Sequence, residues 1–116
     1  MVSPSLDRLA YARLSDRTFV VTGAAGGIGH GITKALIEEG ARVVAVDLRP
    51  GDGPDPERTL SLAADVTSAT DAERVVSATL EWCGRLDGLV NNAGVVILDP
   101  AWDADAENWR RHLDVN

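Results

Sequence analysis

Phe19-Val20-Val21-Thr22-Gly23-Ala24-Ala25-Gly26-Gly27-Ile28-Gly29 is the stretch that decides the fold. An apolar run ends in a glycine-rich turn, and the turn opens into a helical pattern near Ile28. A strand that runs through glycines straight into a helix makes a phosphate cradle. Glycines remove the Cβ atoms that would hold a pyrophosphate away. The helix N-terminus offers unpaired N–H groups and a partial positive charge. In that reading Gly23 permits the tight turn, Gly27 lets the backbone approach the phosphates, and Gly29 lets the helix pack against the sheet. Glycines also make ordinary turns, so the strand–turn–helix context carries the inference.

Outward from this turn the same alternation continues. Thr18 to Thr22 reads as a buried strand. Ile28 to Glu39 places Ile28, Ile32, Ala35 and Leu36 at helical spacing, and Gly40 stops it. Arg42 to Asp47 is a second strand, continuous in Val and Ala, the mark of a strand covered on both faces of a parallel sheet. Pro50 to Pro56 is a loop. Leu60 to Ala64 reads as a third strand. A helix follows from Ala69 to Trp82, started by Thr67 or Ser68, stopped by Gly84, with Ala72, Val75, Val76 and Leu80 on one face. Leu86 to Asn91 is a fourth strand, and a last helix starts between Asp103 and Glu107. Strands alternating with helices imply right-handed βαβ units. The expected fold is α/β, an incomplete Rossmann-type parallel sheet of about four strands in the order 3-2-1-4. Its crevice lies between strands one and four, where the order reverses. Residues 1–17 read as a polar extension with a short helical stripe of Leu6, Leu9, Ala10 and Leu14, and residues 18–116 as the nucleotide-binding unit.

At 45% hydrophobic and 25% charged, the 116 residues suit one folded domain rather than a disordered chain. The net charge of −7 disfavours nucleic acid or an anionic membrane as a partner. No apolar run approaches the roughly 20 residues of a membrane span. Cys83 is the single cysteine, so no disulfide forms within the chain, and a reducing cytoplasm is the expected compartment. His30 and His112 have no metal-ligand spacing with Cys83, and no metal site is expected. Trp82, Trp102 and Trp109 are expected to pack helices onto the sheet.

Asp47 ends the second strand about eighteen residues after Gly29, where a dinucleotide site wants an acid for the adenosine ribose. Its carboxylate would accept the 2′-hydroxyl and repel a 2′-phosphate, which favours NAD(H). Arg49 nearby keeps NADP(H) open. Asn91-Asn92-Ala93-Gly94 follows the fourth strand. Its Asn side chains can tie strand ends together, and its small residues let a ribose lie against the backbone.

The Thr-Gly-x-x-x-Gly-x-Gly spacing of Thr22 to Gly29, with Asp65-Val66, Asn91 to Gly94 and Leu113-Asp114-Val115-Asn116 downstream, resembles the short-chain dehydrogenase/reductase family. The resemblance runs from about Leu14 to Asn116, roughly the first half of a family member. It implies hydride transfer between a nicotinamide cofactor and a small alcohol or carbonyl compound. It implies that Asp65 and Val66 contact the adenine, although Asp65 also reads as a helix cap with Thr67. It implies that Asn116 helps hold a water in a proton relay. Cofactor contacts are therefore expected at Gly23, Gly27, Ile28, Gly29, Asp47, Leu48, Asp65, Val66, Asn92, Ala93 and Gly94. The family's Ser and Tyr-x-x-x-Lys would fall beyond Asn116, and neither Tyr11 nor Lys34 matches their place. The chain alone is thus expected to bind cofactor without turnover. A non-catalytic NAD(H)-binding module and a methyltransferase-like domain are the alternatives, and Asn91 to Gly94 speaks against the second. The fourth strand's unpaired edge, Gly88 to Val90, is expected to invite self-association.

Overall fold

The computed structural model describes residues 12–96, 98, 100 and 102–116. The stripe expected from Leu6 to Ala10 lies outside these residues. The order of elements is β1 (Thr18–Thr22), α1 (Gly27–Glu38), β2 (Arg42–Asp47), β3 (Thr59–Ala63), α2 (Ala69–Cys83), β4 (Gly88–Val90) and α3 (Ala106–Val115). The four strands form one parallel sheet in the order β3-β2-β1-β4. This is the expected incomplete Rossmann-type sheet, with its reversal between β1 and β4.

The Val-rich strands explain the sheet's central position. Alternate residues of β1 and β2 serve opposite faces. Val20, Val44 and Val46 join Ala64 and Val75 beneath α2, with Trp82 packed against them. Val21, Val43 and Ala45 join Ala24 beneath α1, with Ile32, Leu36 and Ile37 against them. Val21, Val43 and Val44 are fully buried. Each such side chain contributes about 1.5–3 kcal/mol relative to exposure.

Several expectations are corrected. The stripe of α1 turns differently: Gly29 and Thr33 are its buried residues, Ile28 is 76% exposed, and Ala35 is exposed too. Thr33 is tolerated inside because its hydroxyl donates to the Gly29 carbonyl at 2.9 Å. On α2, Val75 and Thr79 are buried, while Ala72, Val76 and Leu80 are exposed. That flank opens onto an apolar cavity which also exposes Leu86 and Leu89. Trp82 packs as expected, but Trp102 and Trp109 are 86% and 63% exposed. They flank or sit on α3, which buries none of its residues.

β4 is shorter than Leu86 to Asn91 because side chains replace ladder bonds at its far end. Asp87 N–H still donates to the Thr18 carbonyl, but Asn92 N–H goes to the Thr22 hydroxyl. β3 begins one residue earlier than expected. Ahead of β1, a turn from Leu14 to Arg17 docks on the end of α1, with Leu14 N–H donating to the Glu39 carbonyl.

Candidate functional site

The C-terminal ends of the parallel strands surround a cavity of about 370 Å³. Every residue expected to touch the cofactor lines it: the glycine turn and Ile28, then Asp47 and Leu48, Asp65 and Val66, and Asn92 to Gly94. Asn91 does not. It lines the apolar cavity on the α2 face instead.

The glycine turn is built by close contacts that a side chain would destroy. Gly23 sits at φ +65°, and a Cβ there would come within 2.9 Å of Ala93 Cα. A Cβ on Gly29 would land on the Gly23 carbonyl oxygen, and 2.8 Å from Ala24 Cα. Gly27 differs in kind, since a Cβ there would meet nothing within 4 Å. Its missing side chain keeps the cavity clear rather than relieving a clash. α1 starts at this point with Gly26 as its cap, no side-chain cap bond and no acid in its first turn. The positive end of the helix dipole therefore faces the cavity with no acid of α1 itself against it.

Asn92 ties the ends of β4 and β1 together across the cavity floor. Its Nδ2 donates to the Gly23 carbonyl at 3.1 Å. Thr22 completes the tie, accepting at Oγ1 from the N–H groups of Asn92 and Ala93, each at 3.0 Å. Thr22 was not expected as a site residue. Its position opening the Thr-Gly-x-x-x-Gly-x-Gly run was the signal available.

Asp47 leaves the end of β2 with its carboxylate turned to the glycine turn. Oδ2 accepts from Ala25 N–H at 3.1 Å, and Oδ1 lies 3.5 Å from Arg49 N–H. Asp65 leaves β3 with Oδ1 held by the hydroxyl and N–H of Thr67, at 2.7 and 2.9 Å. These bonds hold its carboxyl below the usual carboxylate range. Asp65 does form a turn with Thr67, but the cap of α2 is Ser68, whose Oγ accepts from Asp71 N–H at 3.1 Å.

Asn116 lies outside the cavity lining. Its Oδ1 accepts from Val95 N–H at 2.8 Å and its Nδ2 donates to the Val95 carbonyl at 3.0 Å. The side chain thus latches the end of α3 to the segment after β4. That latch sets Val115 and Arg111 on the cavity's far wall, and neither was expected as a site residue. Arg111 is the cation of a lining that otherwise holds the acids Asp47 and Asp65, and its charge favours the ionised Asp65.

The family model described as short chain dehydrogenase matches residues 17–116. An NAD-dependent glycerol dehydrogenase of Listeria innocua is 37% identical over 109 residues, covering 89% of this chain and 42% of that protein. An L-fucose dehydrogenase of Bos taurus is 39% identical over 110 residues, covering 90% of this chain and 40% of that protein. The crystal structure of a 3-ketoacyl-(acyl-carrier-protein) reductase from Brucella melitensis complexed with NADH superposes with a TM-score of 0.78 at 32% identity. That match covers 88% of this chain and 45% of the reductase. The chain spans less than half the length of these relatives. With the glycine turn, the Asn-Asn-Ala-Gly segment and nearly all of the sequence accounted for in one match, the chain belongs to the short-chain dehydrogenase/reductase family.

Proposed function

We propose that the cavity binds NAD(H), and that the chain is the cofactor-binding portion of an oxidoreductase interconverting a small alcohol and its carbonyl compound. One observation carries this: a single cavity joins the uncapped N-terminus of α1, the Asp47 carboxylate and the Asn92–Gly94 segment.

The open space at Gly27 and the free first turn of α1 suit a pyrophosphate. Asp47, already holding Ala25 N–H, keeps lone pairs for the hydroxyls of the adenosine ribose. A 2′-phosphate in that place would face a carboxylate, which favours NAD(H) over NADP(H). Asp65 takes the adenine amine while Val66 lies against the ring. Ala93 and Gly94 pass close under the second ribose, and Asn116 keeps α3 on the opposite wall. The nicotinamide, when bound, supplies or accepts the hydride. The NAD dependence of the Listeria relative and the NADH bound by the Brucella reductase support the choice of dinucleotide.

Within residues 1–116, Tyr11 is the single tyrosine, and Lys34 lies on α1. Neither belongs to a Tyr-x-x-x-Lys pair. These residues are therefore assigned cofactor binding rather than turnover. The proposed setting is the cytoplasm, with Cys83 reduced and its thiol directed at the Thr79 carbonyl. Purified residues 1–116 are expected to bind NADH and to show no alcohol-dependent reduction of NAD. Turnover would contradict the division of labour, and failure to bind either dinucleotide would contradict the proposal as a whole.

A further inference from the structure

α2 begins with a Ser-x-x-Asp pair, Ser68 and Asp71. In the usual capping box the cap side chain takes the N–H of the third helical residue, whose own side chain reaches back to the cap N–H. Here the first half is present, from Asp71 N–H to Ser68 Oγ. The second half is redirected. Asp71 Oδ2 accepts from the N–H of Asp65 at 2.8 Å, three residues before the cap, and Ser68 N–H goes instead to the Asp65 carbonyl at 3.0 Å.

The same helix holds the chain on the other side of Ala64. Arg74 lies 3.5 Å from Asp71 Oδ1 and donates to the Ala63 carbonyl. Two α2 side chains thus grip the backbone at residues 63 and 65, where β3 delivers Asp65 to the cavity. Thr67 fixes Asp65 Oδ1, and Asp65 Oδ2 has no hydrogen-bond partner among the described residues. Asp71 itself is not part of the cavity lining.

We propose that Asp71 is a positioning residue for the base-binding end of the cavity. It holds the Asp65 backbone so that the free Asp65 oxygen is presented to the exocyclic amine of a purine. The inference rests on reading the cavity as a nucleotide site. A plain helix cap would stabilise α2 without changing which base is preferred.

Base preference is therefore the readout. Affinities are measured for NADH and for its hypoxanthine analogue, in which a carbonyl replaces the amine. A hydrogen bond to a charged acceptor implies at least about a fivefold preference of the unaltered protein for NADH. Asp65→Ala abolishes that preference. Asp71→Ala lowers it below about twofold, and Asp71→Asn, whose amide oxygen can still accept the Asp65 N–H, retains it. Asp71→Ser keeps a polar group in the first helical turn but is too short to reach Asp65. It repeats the test should Asp71→Ala not fold. Unaltered preference in a folded Asp71→Ala or Asp71→Ser protein, with Asp65→Ala having lost it, overturns this inference alone. An unaltered protein that binds both dinucleotides equally removes the Asp65–amine contact and this inference with it, while the nucleotide site stands; one that binds neither removes the nucleotide reading as well.

Discussion

Gly29 shows how tightly single residues are specified around the cavity. Its α-carbon faces the Gly23 carbonyl and Ala24 across the turn, and Asn92 Nδ2 would lie 2.8 Å from any added Cβ. These neighbours are backbone atoms or a hydrogen-bonded amide, so a methyl group has nowhere to go without opening the turn. We expect Gly29→Ala to destabilise the chain by at least about 2 kcal/mol in denaturant unfolding and to weaken NADH binding in parallel. Gly27→Ala, which meets open space, should leave stability nearly unchanged and affect binding alone. The turn and packing roles of Gly23 and Gly29 were legible in the sequence because their spacing falls in a strand–turn–helix context. Thr22 and Asn116 were legible only as motif letters. Their hydroxyl and amide bonds to residues 92, 93 and 95 join segments distant in sequence, which no local pattern reveals.

At the scale of elements, the strands and helices were readable because each carries its own period and stops. Continuous Val and Ala mark β2 as covered on both faces, and its bounds, Arg42–Asp47, are those expected. The faces of the helices were less readable. Ile28 fits the helical stripe of α1, yet it lies exposed on the cavity lining instead of packing on the sheet. Val76 and Leu80 fit the stripe of α2, but among the described residues nothing packs over the part of the sheet they overhang. Periodicity shows which side chains share a face, not whether anything covers it. Capping was more reliable, because it is local. Ser68 satisfies the N–H of Asp71, so Ser68→Ala should lower stability by about 1 kcal/mol, measured by urea unfolding.

Across the whole molecule the sheet separates stability from the site. Asp87 lies at the end of β4 opposite the cavity. Its carboxylate accepts from Arg85 Nε and from Thr18 N–H, each at 2.8 Å, and thereby joins β4 to β1. The Arg85 guanidinium, with the Thr18 bond next in weight, holds this carboxyl well below the usual carboxylate range. A folded-state value below the unfolded one, about 3.9, means the contribution is complete above that pH and is lost as pH falls below it. Acid unfolding of the parent chain should therefore steepen below about pH 4. The gap between the parent and Asp87→Asn should close over the same range, and a gap that stays constant to pH 2 would contradict this origin. The unpaired side of β4 carries a different liability. β4 pairs with β1 alone among the described residues, and Leu89 is 57% exposed there. An uncharged edge of this kind recruits other strands. Isolated residues 1–116 are expected to self-associate in light scattering, and Leu89→Lys to reduce the apparent mass.

The most direct measurement is a titration of the purified chain and its Asp47→Ala variant with NADH and with NADPH, followed by nicotinamide fluorescence. We expect saturable binding of NADH by the parent, at least about tenfold tighter than NADPH, and a much smaller difference in the variant. Equal or tighter binding of NADPH by the parent would contradict the role given to Asp47. Absence of saturable binding by either dinucleotide would contradict the site itself.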